Sequence, residues 1–299
     1  MTDLVDSTAS DDEALSANAQ TFVLKPTEEL RFEVDGGPET PALLKLVSGS
    51  AEVFGSELAC DRLYRIHRTK LAVFSWKGAK VILDGPCKLV YTSDETPMIQ
   101  VMNVHENLQI FRQRAQETGD MGPRVLVAGA VDSGKSCIVH VLLNYAIRSG
   151  HNPVFVDLDV GDNEISCPGS ISASPVLQPH DLESGWNSTL PLVYFFGHAT
   201  IQENQEHYVS CCENLASSLK QRISQQLPEK STGYIINTPG WSDASNLDVL
   251  MAIVDFFQVD VILVLGHERL SAQLQQVESL KSRNVVIAKL PRSGGVNVS

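Results

Sequence analysis

No Cys-x-x-Cys pair occurs anywhere in the 299 residues, and no histidines fall at zinc-finger spacing. The six cysteines (Cys60, Cys87, Cys137, Cys167, Cys211 and Cys212) therefore read as reduced thiols of a cytosolic or nuclear protein, not as a disulfide framework. No apolar h-region follows Met1, so no signal peptide is expected. Long hydrophobic runs are missing as well. The most apolar stretch, Val249–Leu265, is broken by Asp255, Gln258 and Asp260, which excludes it as a membrane span and leaves no membrane partner expected. Basic residues are few: 23 Lys and Arg stand against 36 Asp and Glu, a net charge of −13. That balance argues against non-specific duplex binding, which depends on neutralising many phosphates, but leaves room for a small basic cleft. Part of the acidity is local, because Asp3, Asp6, Asp11, Asp12 and Glu13 all precede the first basic residue, Lys25. Residues 1–20 are expected to be a disordered acidic tail.

What is present is one strong motif. Arg124–Ala128 is a short Val-rich run between Gly122-Pro123 and Gly129, the signature of a buried strand. Gly129, four residues (Ala130, Val131, Asp132, Ser133), then Gly134-Lys135-Ser136 is the complete P-loop pattern. Ile138, Val141, Leu142 and Tyr145 recur at helical spacing, so a helix begins inside the motif and Gly150 ends it. In that context the backbone N–H groups from Gly129 to Cys137 form an anion-binding concavity at a helix N-terminus. Lys135 is expected to reach the β- and γ-phosphates, and Ser136 to hold Mg²⁺.

Around the motif the chain divides. Residues 21–102 carry short runs at strand length with turn signals between them, which predicts a small β-sandwich or barrel. Residues 103–121 read as a linking helix and loop. From 122 to 299 strands alternate with helices: Val154–Leu158, Leu192–Phe196, Tyr234–Asn237, Val261–Leu265 and Val285–Lys289 against Glu206–Gln226, Leu247–Phe257 and Ser271–Lys281. The fold class expected is therefore an α/β P-loop domain, with a mostly parallel sheet and flanking helices, preceded by a small all-β domain. The second strand ends in Asp157-Leu158-Asp159-Val160-Gly161, two carboxylates on one face beside the P-loop. Asp159, at the tip, is the candidate to orient a nucleophilic hydroxyl or to serve Mg²⁺. Asn237-Thr238-Pro239-Gly240-Trp241 ends the fourth strand, Tyr234–Asn237. It has Asn where a GTPase has Asp, and no Asn-Lys-x-Asp guanine box follows, which disfavours a GTPase. Trp241 is a candidate to stack on a nucleobase.

Taken together, these residues resemble the Clp-type RNA 5′-hydroxyl kinases of the pre-mRNA cleavage complex and tRNA splicing. The likeness extends over about 275 residues and rests on Glu29–Phe32, Ala51–Leu58, Ala72–Trp76, Gly122–Arg124, the P-loop, Leu142–Ala146, Asp157–Gly161, Pro191–Tyr194, Ile236–Thr238 with Gly240-Trp241, Glu268–Leu270 and Leu290–Val296. The resemblance implies transfer of the ATP γ-phosphate to an RNA 5′-hydroxyl, with ATP and Mg²⁺ as cofactors and a nuclear location. Its implied partners are single-stranded RNA 5′ ends and other subunits of the cleavage or tRNA-splicing machinery. Lys135 and Ser136 would carry phosphate and Mg²⁺, Asp159 would activate the hydroxyl, and Trp241 and Thr200 would contact the RNA. Glu29, Phe54 and Lys70 of the β domain would meet the adenine. The chain departs from the family pattern at Asp162 (Gln), at Gly197-His198-Ala199-Thr200 (Gly-Ser-Thr-Thr) and at Gly266-His267 (Asp-Gln). The family's arginine-bearing lid and C-terminal domain would follow the last residue, Ser299. The alternative expectation is a catalytically weak or inactive ATP-binding scaffold of the cleavage complex.

Overall fold

The computed structural model describes residues 15–225, 227–240 and 246–292, and they divide into two compact units, one ending at Thr96 and the other starting at Pro97.

The first unit contains nine strands: β1 (Gln20–Leu24), β2 (Glu28–Val34), β3 (Ala42–Gly49), β4 (Glu52–Val53), β5 (Ser56–Glu57), β6 (Leu63–Ile66), β7 (Lys70–Ser75), β8 (Ala79–Asp84) and β9 (Cys87–Ser93). They form two sheets, β1-β8-β3-β6 and β5-β4-β7-β2-β9, in which every pairing is antiparallel. Alternation explains the core: Leu30, Phe32, Val34, Leu71 and Val73 are buried from the second sheet, Leu44, Leu46, Val81 and Leu83 from the first. Two short strands, β5 and β6, escaped the sequence reading because Ser56-Glu57 and Leu63–Ile66 lack a β-branched run. The stretch before β1 is held at one point, where the Ser16 backbone N–H and hydroxyl donate to the Asp84 carboxylate at 2.6 and 2.8 Å.

The second unit opens with α1 (Met98–Thr118), which begins five residues before the helix expected from position 103. Met98, Val101, His105, Leu108, Arg112 and Ala115 are its buried stripe, at helical spacing throughout. The apolar start Met98-Ile99-Gln100-Val101-Met102 reads equally well as strand, and only packing resolves it. There follow β10 (Arg124–Gly129), α2 (Lys135–Arg148), β11 (Val154–Asp157), β12 (Ser170–Pro175), β13 (Leu192–Phe195), α3 (Gln205–Gln225), α4 (Leu227–Thr232), β14 (Tyr234–Asn237), α5 (Leu247–Phe256), β15 (Val261–Leu265), α6 (Glu268–Gln276), α7 (Glu278–Ser282) and β16 (Val286–Leu290). The sheet order is β13-β12-β11-β14-β10-β15-β16. The five strands from β11 to β16 are parallel, whereas β12 runs antiparallel to both its neighbours. This strand was not expected: Ser170, Ser172 and Ser174 alternate with Ile171, Ala173 and Pro175, yet all three serines are buried. Ser172 satisfies its hydroxyl on Asn163 Oδ1 at 2.9 Å, and Ser170 on the Cys167 carbonyl at 2.5 Å. Among the described residues no helix is long and apolar enough to cross a membrane, and all six cysteines are free thiols.

The packing of α1 on α2 carries a pH dependence. His105 is buried and its Nε2 meets Ser149 Oγ at 3.3 Å. Burial, with Arg112, His151 and Arg148 adding to it, lowers its pKa to about 4. The unfolded chain therefore takes up a proton near pH 6.5 that the folded chain refuses until about pH 4. Stability from this group is full above pH 6.5 and falls as the pH drops toward 4, by about 2–3 kcal/mol at the low end. Urea unfolding of wild type and His105→Asn across pH 7.5 to 4.5 checks this; the variant should have the flatter profile, and equal slopes would refute it.

Candidate active site

β10 is flanked by β14 and β15, so the chain leaves Gly129 at the C-terminal edge of the parallel strands, where α/β sheets place their ligands. The loop then turns sharply. Asp132 has φ +56° and Gly134 φ +88°, and α2 starts at Lys135. A Cβ on Gly129 would lie 2.7 Å from Ser133 Oγ and 2.8 Å from the Leu265 carbonyl, so only glycine lets the loop close this tightly. Ser133 is buried and donates to the Ala130 carbonyl at 2.9 Å; Val131 and Cys137 are exposed on the loop and first turn. Lys135 is 7% exposed, its Nζ donating to the Ala130 carbonyl at 2.9 Å. Burial lowers its pKa, and the carboxylates of Asp159 and Asp132 oppose that shift. Asp159 therefore acts on the Lys135 ammonium from the end of β11, two strands away on the same edge of the sheet.

Register brings the polar residues together. Asp157 of β11 pairs with Asn237 of β14, and Val127 of β10 pairs with Asn237 on its other side. Asn237 Nδ2 donates to Asp157 Oδ1 at 3.1 Å and approaches Ser136 Oγ at 3.4 Å. Asp157 is fully buried and also accepts from the backbone N–H of Asp159 (3.1 Å) and Glu164 (2.8 Å). Burial nonetheless pushes its carboxyl up to about 8, with Glu164 adding to the shift and the hydrogen bonds opposing it. Beside it, Asn237 Oδ1 is a buried acceptor without a donor among the described residues. A buried carboxylate, a serine hydroxyl and an unsatisfied amide oxygen are hard oxygen groups in one place. They fit a hydrated Mg²⁺ held with phosphate, since a cation would restore the charged form of Asp157 and its waters would satisfy Asn237.

Asp159 sits half-buried one step beyond β11, its Oδ1 accepting from Gly161 N at 3.0 Å. Tyr208 of α3 fixes this strand end by donating to the Leu158 carbonyl at 3.0 Å. A Cβ on Gly161 would meet the Ala199 carbonyl at 3.3 Å, so the 198–200 segment lies along the Asp159 turn. There Thr200 is exposed and donates to Glu203 at 3.3 Å, while His198 Nδ1 pairs with the same carboxylate group at 3.0 Å. Gly240 abuts the P-loop, because a Cβ there would fall 2.4 Å from Val131 Cγ2. The next residue, Trp241, lies outside the described residues.

In the first unit, Glu29 faces Phe74 and Lys70 faces Glu33 on the β2–β7 pair, on one face of the sheet. They are four positions apart, about 13 Å along the strands, and are not brought together. Glu29 is buried and held by Arg31 Nε at 2.8 Å and by the Thr96 hydroxyl, whereas Lys70 is exposed. Phe54 and Gly55 form the two-residue turn between β4 and β5, with φ +51° and +77°. A bulky residue in the left-handed region is an uncommon strain, of the kind that clusters at ligand sites.

Two residues with a place at the site, Asn237 and Arg292, were not assigned from sequence, and a third, Asp157, was read only as one of a strand-end pair from which Asp159 was chosen. Asp157 and Asn237 become neighbours only through strand order. Arg292 donates to the Asp132 carbonyl at 3.1 Å and brings a permanent cation to the rim of the P-loop. The signal available in sequence was position alone, since each follows or ends a predicted parallel strand.

A glycine loop feeding a helix from a central parallel strand, with a buried carboxylate two strands over, defines a P-loop nucleotide-binding domain; in sequence it follows a β-sandwich unit. The chain belongs to the Clp1 family: residues 129–299 match the model of the mRNA cleavage and polyadenylation factor CLP1 P-loop, and residues 23–115 that of the N-terminal beta-sandwich domain of polyadenylation factor. It is 38% identical to the Protein CLP1 homolog of Dictyostelium discoideum, over 94% of this chain and 61% of that one. It is 41% identical to the Protein CLP1 homolog of Arabidopsis thaliana, over 94% and 64%. It is 38% identical to the human Polyribonucleotide 5'-hydroxyl-kinase Clp1, over 92% and 64%. The chain thus spans 61–64% of the length of these relatives. In fold it is similar to Clp1p in the wild-type Clp1p–Pcf11p complex, with a TM-score of 0.84 at 24% identity, over 95% of this chain and 69% of that one.

Proposed function

We propose that this protein is an ATP-dependent polynucleotide kinase that phosphorylates RNA 5′-hydroxyl ends, acting in the nucleus as a subunit in pre-mRNA 3′-end cleavage and tRNA processing. The observation that carries the proposal is the place of Asp159, just past the end of β11 on the same C-terminal edge of the sheet as the P-loop, where its charge acts on Lys135, with Ser136, Asp157 and Asn237 clustered there. Lys135 and the loop amides from Gly129 to Cys137 bind the ATP phosphates, and Ser136 and Asp159, with Asp157, hold Mg²⁺. When bound, that ion supplies charge neutralisation at the phosphates. Asp159 accepts the proton of the RNA 5′-hydroxyl as its oxygen bonds to the γ-phosphorus. The bond from that phosphorus to the β,γ-bridging oxygen breaks, and ADP leaves. Lys135 steadies the charge that develops on the leaving oxygen. Thr200 and Trp241 position the RNA, and Glu29, Phe54 and Lys70 are the proposed adenine contacts. The name of the human relative and the family of the chain support this reading.

Transfer of labelled phosphate from ATP·Mg²⁺ to a short 5′-hydroxyl RNA tests it. Wild type should transfer, and Asp159→Asn should lower the rate by about 10²–10⁴ with ATP binding retained, as for loss of a general base. Transfer undiminished in Asp159→Asn would refute the assignment.

One observation favours a second reading, an ATP-holding scaffold for partner subunits. Asp162 stands in the loop after β11, and burial together with the charges of Glu164 and Asp159 raises its pKa. That concentration of negative charge opposes phosphate-rich substrates. Tight ATP binding without transfer, and partner capture lost in a P-loop variant, would favour this reading.

A further inference from the structure

Joined to Asp157 through the Glu164 backbone N–H is a second polar cluster that phosphoryl transfer does not use. His140 comes from α2, one turn beyond Ser136. Glu164 comes from the loop after β11, and His180 from the segment after β12. One ligand atom from each lies within 4.8 Å of the others. The His140 and His180 rings stack at 4.9 Å with 27° between their planes, and Trp186 packs edge-on against both, at 5.3 and 5.0 Å.

The hydrogen-bond chemistry of this cluster is contradictory as it stands. His140 Nε2 lies 2.5 Å from Glu164 Oε2 and also 3.3 Å from the indole Nε1–H of Trp186. A protonated Nε2 suits the carboxylate but confronts the indole proton. A bare Nε2 suits the indole but sets its lone pair against the carboxylate oxygen. A cation between Nε2 and the carboxylate oxygen removes the repulsion of their lone pairs, and the indole N–H then has to turn from Nε2 to another acceptor. A neutral imidazole brings one ring-nitrogen lone pair to a cation and no charge. Two neutral imidazoles and one carboxylate form a donor set for a borderline divalent transition metal, and they do not suit Mg²⁺ or Ca²⁺, which take oxygen. The packing of Trp186 and Phe155 around His140 supplies the apolar shell that such sites use.

We propose that His140, Glu164 and His180 form a binding site for a divalent transition-metal ion of the zinc class, with a fourth position open to water. Tetrahedral ligation sets ligand atoms roughly 3.3–3.5 Å apart. Reaching that from the present spacing takes side-chain shifts of about an ångström, which the partly exposed Glu164, at 23%, can make. The site has a structural consequence. Glu164 N donates to Asp157 Oδ2 at 2.8 Å, and α2 carries both His140 and the Lys135-Ser136 pair, so a bound ion ties the loop beneath Asp157 to the helix of the P-loop.

Cobalt(II) titration of the full chain tests the site, with excess Mg²⁺, no nucleotide and a thiol-free buffer. The expected result is one Co²⁺ per chain with a tetrahedral visible spectrum free of thiolate charge transfer, displaced by Zn²⁺. Glu164→Gln and His180→Asn should each weaken binding by about 100-fold or more, beyond what loss of an outer partner costs. Zn²⁺ should raise the melting temperature of wild type and leave that of both variants unmoved. If His180→Asn fails to fold, X-ray absorption of the zinc-loaded wild type decides the matter: two imidazoles and one carboxylate support the site. No bound ion in folded protein, a thiolate spectrum from the free cysteines, or binding unchanged in either variant would overturn it.

Discussion

Lys135→Ala should abolish phosphoryl transfer, lowering it by about 10³-fold or more, while the protein stays folded. The physical case rests on where the ammonium sits. Lys135 is the first residue of α2 and is 7% exposed, so its charge acts from a site largely cut off from water. Charge stabilisation there is worth several times what it is worth in solvent, and a loss of 10³ corresponds to about 4 kcal/mol of transition-state stabilisation. The cost to the fold is small by comparison. Among the described residues Nζ donates to the Ala130 carbonyl alone, on a loop where Val131 and Asp132 are exposed. Removing a buried amine that burial already disfavours is close to neutral for stability. Single-turnover transfer to a 5′-hydroxyl RNA, paired with urea unfolding, measures both quantities. Wild-type transfer in the folded variant would dismiss the P-loop as the site of chemistry. If wild type itself transfers nothing, ATP titration takes over, and the variant should then bind ATP about 100-fold more weakly.

The second large effect is expected far from the chemistry. Gly233→Ala should destabilise the protein by about 3–4 kcal/mol, because two penalties fall on one residue. Gly233 has φ +72°, where an alanine costs about 1 kcal/mol. A Cβ there would also lie 2.1 Å from the Pro123 carbonyl oxygen and 2.8 Å from the Pro123 N and carbonyl carbon, all backbone atoms that cannot swing away. Those atoms belong to a junction on which the site depends. Gly122 N donates to Lys230 O at 2.8 Å, Tyr234 N to Pro123 O at 3.1 Å, and Val154 N to Gly233 O at 3.1 Å. Arg112 Nε adds a bond to the Thr232 carbonyl at 3.1 Å. The entries to β10, β11 and β14 are thus fixed at one point, and their exits carry the P-loop, Asp157 and Asn237. Gly150→Ala is the control. It has φ +82° and nothing within 4 Å of its Cβ, so it should show the backbone penalty alone, about 1 kcal/mol. Equal losses in the two variants, read by urea unfolding, would contradict the steric account.

The parts of this protein written locally were legible in its residues. The P-loop was, because Gly129, Gly134, Lys135 and Ser136 fall within eight successive positions between an apolar strand and an amphipathic helix. The parallel strands β10, β14 and β15 were, because runs such as Val261–Leu265 are buried on both faces and so are apolar throughout. The family was legible too, from motifs spread over both units.

Tertiary structure decided the rest, for one physical reason: a side chain's chemistry depends on neighbours that the chain delivers from far away in sequence. Asn237 reads as a weak substitute for a GTPase aspartate until β14 is placed between β10 and β11, which sets its amide against Asp157 and Ser136. Asp157 reads as one of two equivalent strand-end carboxylates. Burial then separates the pair, leaving Asp157 sealed beneath the loop and Asp159 at the solvent edge. The serines of β12 look like a loop until Asn163 and the Cys167 carbonyl satisfy their hydroxyls. His140, Glu164 and His180 lie up to 40 positions apart and at no metal-binding spacing, and only the sheet order, by laying the segment after β12 over α2, makes of them a single cluster.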